Sequence, residues 1–158
     1  MRAMLVALLI LALSVFAAQP ATADPAESMT MTFQDTTETF TDTVPCISPT
    51  PIVVTITYNG VIHLTTKNGT THFTGTMTGT FTFDTATIDY TGHFAVWFGG
   101  NSNARNDFEC FNLNIQATGT DGSVVHAAAV GHFNTTAGES GPKFFFQMTC
   151  NGDVTRVP

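Results

Sequence analysis

Residues His72 to Asp84 read HFTGTMTGTFTFD. Taken alternately, they separate into His72, Thr74, Thr76, Thr78, Thr80 and Thr82 on one side, and Phe73, Gly75, Met77, Gly79, Phe81 and Phe83 on the other. Side chains of a β-strand point to opposite faces with a period of two. The stretch is therefore a strand with a threonine face and an aromatic–glycine face, and no helical period keeps either set together. A chain containing it must supply partner strands on both sides and something apolar against the second face.

The rest of the chain supplies both. Met29, Met31 and Phe33 alternate with Thr30, Thr32 and Gln34, starting a strand that runs toward Phe40. The segment Val44 to Pro51 is interrupted by proline and forms a connection, because proline cannot donate to a ladder. Ile52, Val54, Ile56 and Tyr58 alternate with Val53, Thr55 and Thr57. Asn59-Gly60 then predicts a hairpin turn before Val61–Thr66. A single long strand with a bulge at Gly60 is the competing reading. Asn68-Gly69 marks the next turn.

A two-residue loop at Thr85-Ala86 pairs Phe83 with Ile88, Phe81 with Tyr90, Gly79 with Gly92 and Met77 with Phe94, so apolar positions meet apolar ones. Two glycines face to face suggest a strongly coiled sheet with space beside them. Gly99–Asp107 reads as a loop. Phe108–Thr118 then places Phe111, Leu113, Ile115 and Ala117 on one face and Cys110, Asn112, Asn114 and Gln116 on the other. With Asp121-Gly122 as a two-residue turn, Ala117 pairs with His126 and Phe111 with His132, so both histidines join the apolar face. Thr135–Pro142 is a second loop, and Lys143–Cys150 is the closing strand. The expected fold is all-β: a single antiparallel barrel of about eight strands, with a two-sheet β-sandwich as the alternative.

Residues 1–23 stand apart. Arg2, the apolar run Met4–Ala18 and the small residues Ala21-Thr22-Ala23 form a secretory signal-peptide pattern. Residues 24–158 then make one domain, secreted and with no membrane span after cleavage. That domain carries four fixed cations, Lys67, Arg105, Lys143 and Arg156, against twelve Asp and Glu. So acidic a chain lacks the phosphate-neutralising patch that nucleic-acid binding needs. Three cysteines leave one over. Cys46 precedes the second strand and Cys150 ends the last, so a Cys46–Cys150 bridge would staple the ends of the domain and leave Cys110 as a small hydrophobe.

Four stretches carry a family likeness: Asp42-Thr43-Val44-Pro45-Cys46, Thr57-Tyr58-Asn59-Gly60-Val61, His72-Phe73-Thr74-Gly75-Thr76 and Trp97-Phe98-Gly99-Gly100-Asn101. Across most of the mature chain the sequence resembles a family of small secreted β-barrel proteins from actinobacteria. The resemblance implies export, a single domain and the Cys46–Cys150 bridge, with Cys110 a departure from the pattern. In architecture it is similar to calycin and allene-oxide-cyclase-type barrels, and fold does not imply function.

Sequence motifs for hydrolases, phosphate loops and Cys-x-x-Cys are absent, and the sequence assigns no catalytic residue, metal site or cofactor. His63 and His72 fall diagonally on one polar face with no third ligand. The candidate ligand-binding residues are Tyr90, Phe94, His126 and His132 inside the barrel, with Trp97, Asn101 and Arg105 on a rim. A histidine satisfied by a backbone carbonyl, and aromatic rings that simply pack a core, are the competing readings. The expected function is a secreted, monomeric, non-enzymatic β-barrel that binds a small apolar ligand or a surface partner. A barrel-type cyclase or isomerase using Tyr90 or a histidine, and a structural or immunogenic surface protein with a filled core, are the alternatives.

Overall fold

A computed structural model describes residues 26–44, 46–48, 50–137 and 143–157, the last four without their side chains. The signal-peptide pattern and residues 138–142 of the second polar loop lie outside the described residues. Eight strands follow one another: β1 (Glu27–Asp42), β2 (Ile52–Lys67), β3 (Thr70–Asp84), β4 (Asp89–Ser102), β5 (Asn106–Gly119), β6 (Val124–Thr136), β7 (Lys143–Cys150) and β8 (Asp153–Val157). They form one antiparallel sheet in sequence order. Among the described residues no ladder joins β1 to β8, so hydrogen bonds do not close the sheet as a barrel requires. It nevertheless coils far enough for the β1–β2 connection to reach the end of β7. There Cys46 and Cys150 form a disulfide with Cα atoms 5.5 Å apart, and Cys110 stays free.

The expected alternation holds along β3. Phe81, Phe83 and Met77 are buried and the intervening threonines exposed, and Val54 and Phe83 are the most completely enclosed large side chains. Buried residues from β2 to β7 form one core on this inner face. Val44 and Ile47 of the β1–β2 connection pack against it.

The Asn59-Gly60 hairpin does not form. β2 runs unbroken through both residues, and the irregularity lies on its partner, where the β1 register shifts between Phe33 and Thr36. Asp35 takes a positive φ of 46° there, and its N–H donates to Asn59 Oδ1 at 2.9 Å. The count of eight strands survives because β8 replaces the strand lost from the missing hairpin. Asn68 and Gly69 do form the next turn, with φ of 51° and 70°. The predicted Gly99–Asp107 loop is mostly strand, since β4 extends to Ser102 and β5 begins at Asn106.

Two registers differ from expectation, with opposite consequences. The β3–β4 connection is Thr85–Ile88, two residues longer than predicted, so Phe83 faces Tyr90. Thr85 Oγ1 causes this by accepting the N–H groups of Thr87 and Ile88. An even shift keeps every side chain on its predicted face but changes its partner, and Gly79 no longer faces Gly92. Instead Gly79 faces Phe94, Gly92 faces Phe81, Gly75 faces Phe98 and Gly100 faces Phe73. A Cβ at Gly75 would lie 2.3 Å from the Phe98 ring, and one at Gly92 would lie 2.6 Å from the Phe81 ring. The glycines therefore mark where rings cross the neighbouring strand, and the space expected beside them is filled.

The β5–β6 connection is longer too, at Gly119–Ser123, but by an odd number, so Ala117 faces Val125 instead of His126. Asp121 Oδ1 accepts the Ser123 N–H at 2.9 Å, Gly119 N–H reaches the Ser123 carbonyl at 2.8 Å, and Gly122 has φ of 84°. A one-residue slip exchanges the two faces of a strand. Val125, Ala127 and Ala129 are buried, and His126 and His132 are exposed on the outer face.

Candidate binding groove on the outer face

The four residues expected to line an interior site are thus divided by the sheet. Tyr90 is buried on the inner face with its hydroxyl accepting from Ser123 Oγ at 3.2 Å, and Phe94 lies against Gly79. His126 and His132 lie outside, so the expected interior cluster does not exist. His132 sits between Phe108 and Phe145, with ring centroids 6.2 and 5.9 Å away.

The rim residues do not converge either. Trp97 is 46% exposed on the outer face of β4. Its Cζ2 lies 3.4 Å from where a Gly99 Cβ would be, so the ring leans along the strand toward a glycine. Asn101 is half-buried between His72 and Phe108 in the ladder. Arg105 is exposed in a turn held by Asn103, whose Oδ1 accepts the N–H groups of Arg105 and Asn106.

A different set of side chains shares a site. A groove of about 480 Å³ crosses the outer face of β4, β5, β6 and the β7–β8 turn. Its outward-facing residues fall in two transverse rows: His93, Gln116 and His126, then Ala95, Asn114, Ala128 and Thr149. The two alanines lower the floor on either side of Asn114. His126 is fixed from beyond the β7 ladder: its N–H donates to Asn151 Oδ1 at 2.7 Å and its carbonyl accepts from Asn151 N–H at 2.8 Å. Among the described residues no hydrogen bond engages the side chains of His93, Gln116 or His126, and Asn114 makes only a 3.4 Å contact to Asn112. Those donors and acceptors are available to a ligand.

Among the described residues no Asp, Glu, Lys or Arg lines the groove. His93 and His126 lie two strand spacings apart, about 9–10 Å, with no third His, Cys, Asp or Glu beside them among the described residues. Among the described residues no group of three His, Cys, Asp or Glu could hold a metal.

The sequence reading missed His93, Asn114, Gln116 and Thr149. The Asn-x-Asn-x-Gln alternation of β5 was the available signal, but its face passed as ordinary polar surface.

Among the described residues four titratable groups with shifted pKa lie outside the groove, one of them Asp121, whose carboxyl the side-chain and backbone hydrogen bonds of Ser123 hold below its ordinary value. Glu109 shares the inner-face parity of Phe111. Burial first, and then the charge of Asp107, push its carboxyl up. Burial pushes the Cys110 thiol up, which makes it a poor nucleophile. Tyr58 is pushed up to about 12 by burial and then by its 2.9 Å hydrogen bond to Glu38.

The fold and groove define an all-β, single-sheet protein with a neutral, amide-lined surface site. No protein-family model, curated protein or solved structure matches the chain.

Proposed function

We propose that the chain is a secreted, non-enzymatic binding protein, its one sheet coiled into an open barrel, with a small ligand or surface partner held on the outer face of β4–β7. The observation that carries this reading is the groove itself: imidazoles and amides with unspent hydrogen bonds, anchored on central strands above a packed core. Small-molecule sites have this form, an apolar floor with a few polar groups that fix orientation. The apolar run and cleavage pattern near the N-terminus support export, as does the disulfide, which oxidising compartments favour. Among the described residues no helix is long and apolar enough to cross a membrane.

The cyclase reading sets Tyr90 or a histidine in a barrel cavity, whereas Tyr90 is buried with its hydroxyl bonded to Ser123 and both His126 and His132 lie on the outer face. A filled interior also suits a purely structural surface protein, and one experiment separates that reading from binding. Native mass spectrometry of protein purified from its own host should show a retained mass. Ala128→Phe, which fills the groove floor without touching the core, should lose that mass, whereas Thr57→Phe on the other half of the sheet should keep it. Mass-free protein in repeated preparations would overturn the binding reading in favour of the structural one.

A further inference from the structure

We infer that the groove's ligand is a neutral oligosaccharide, lying along β4 and β5 with Trp97 as its stacking platform and Asn112, Asn114 and Gln116 as its hydrogen-bonding rail. This rests on the binding reading above and names the ligand class.

Three observations converge on it. The first is the Trp97 ring. Gly99 is buried beside it, and the indole leans along the strand toward that glycine while 46% of the residue stays exposed. A large ring laid against a sheet presents a flat apolar face, which the C–H face of a pyranose matches. Trp97 faces Asn112 in the ladder, and Ala95, the next outward residue on β4, opens the groove.

The second is the amide rail. Asparagine is among the residues that strands disfavour, yet β5 carries amides at three successive outward positions in the middle of the sheet. They neither cap a turn nor bridge a bulge. Each primary amide offers two donors and an acceptor, and sugar hydroxyls, which both donate and accept, use all of them. Imidazoles at His93 and His126 add the same dual capacity at the far end.

The third is charge. Among the described residues the groove carries no fixed charge, and so it offers no partner to phosphate, carboxylate or ammonium groups. A lipid tail would leave the amides unpaired at a cost. A polyhydroxylated neutral molecule with apolar ring faces is what remains. Trp97 and His93 are four residues apart on one strand, a span of about 13 Å, so the surface fits several linked sugars better than one.

Trp97 is the chain's one tryptophan, so its fluorescence reports on the platform directly. The wild-type protein is titrated with neutral oligosaccharides: β-1,4-linked glucose, N-acetylglucosamine, xylose and mannose chains and α-1,4-linked glucose chains. At least one should change the Trp97 emission saturably, with the same affinity by calorimetry. Calorimetry should then show a tenfold or greater loss of affinity for Trp97→Ala, a fivefold or greater loss for Asn114→Thr, and no change for Thr57→Val on β2. Circular dichroism confirms that each variant is folded. If no sugar saturates while the host-purified protein keeps a mass that Ala128→Phe loses, the saccharide class is wrong and the groove reading stands. If no sugar saturates and no mass is retained, both fail. Saturation that survives both Trp97→Ala and Asn114→Thr would overturn the placement on this face.

Discussion

β3 and β5 occupy equivalent places in the sheet, each between two long neighbours, each with an apolar inner face. Their outer faces differ completely. β3 presents threonine at 74, 76, 78, 80 and 82, and β5 presents Asn112, Asn114 and Gln116. Burial cannot account for this, because both faces are exposed. Threonine is what an exposed strand prefers, and between β1 and β2 hydroxyls satisfy one another across strands, as in Thr37–Thr57 at 2.9 Å and Thr39–Thr55 at 3.0 Å, whereas those five threonines of β3 carry no side-chain hydrogen bond among the described residues. The β4–β6 half uses residues with poorer propensity, and the amides of β5 make one 3.4 Å contact, between Asn114 and Asn112. Where local preference is violated on one face of an otherwise consistent fold, function is the usual reason. The core is therefore shared by the two halves, and the proposed binding face belongs to one.

The comparison can be broken at several levels. Removing what both halves share should cost most. Replacing Cys46 and Cys150 together by serine frees a cross-link with a sequence separation of 104. Urea unfolding should show a loss of about 4–5 kcal/mol, with affinity per folded molecule unchanged.

Next come the glycines under the rings, one in each half. Gly79→Ala places a Cβ 2.2 Å from the Thr57 carbonyl oxygen, and Gly131→Ala places one 2.1 Å from the Phe111 ring. Each should cost about 1–3 kcal/mol by overpacking. A cost confined to one half would show that the inner face is not a common core.

Tyr58→Phe, which deprives Glu38 of its donor, should cost about 1 kcal/mol. The same contact sets an alkaline limit. Tyr58 stays protonated in the fold to about 12, against 10.0 for a free phenol, so its contribution is whole below pH 10 and lost as pH rises from 10 toward 12. In a Tyr90→Phe background, phenolate absorbance should rise with a midpoint near 12 in the folded protein and near 10 in urea.

The smallest effects are the sharpest test. Asn112→Thr with Asn114→Thr should raise stability by a few tenths to about 1 kcal/mol while weakening binding. Thr55→Asn with Thr57→Asn on β2 should lower stability by a similar amount and leave binding alone. If the first pair destabilises, the amides serve the fold and the contrast between the halves disappears.

Strands were legible wherever alternation was long and turn chemistry was explicit, as at β3, Asn68-Gly69 and the Cys46–Cys150 pairing. Partners were less legible, because side chains outside the strands decide loop length. Thr85 gathers two backbone N–H groups and adds two residues to its turn, and Asp121 holds Ser123 to make an odd loop. The first effect changed neighbours and left the faces of β4 correct. The second turned β6 over, so His126 moved from a supposed cavity to the groove. Asn59-Gly60 failed as a turn because Asp35, distant in sequence, supplies the irregularity opposite it. Glu109 could have been placed inside by parity with Phe111 alone, but its charge argued otherwise.

The Gly119–Ser123 loop gives the chain an unusual sensitivity to length. Surface loops ordinarily accept insertions and deletions. Here a single added or deleted residue would rotate Val125, Ala127 and Ala129 into solvent and drive His126 and His132 into the core, whereas a change of two would restore every orientation. Sequence drift at this site should therefore proceed in even steps. A homologue whose 119–123 loop differs by one residue should carry the reversed polarity pattern along the whole of its sixth strand.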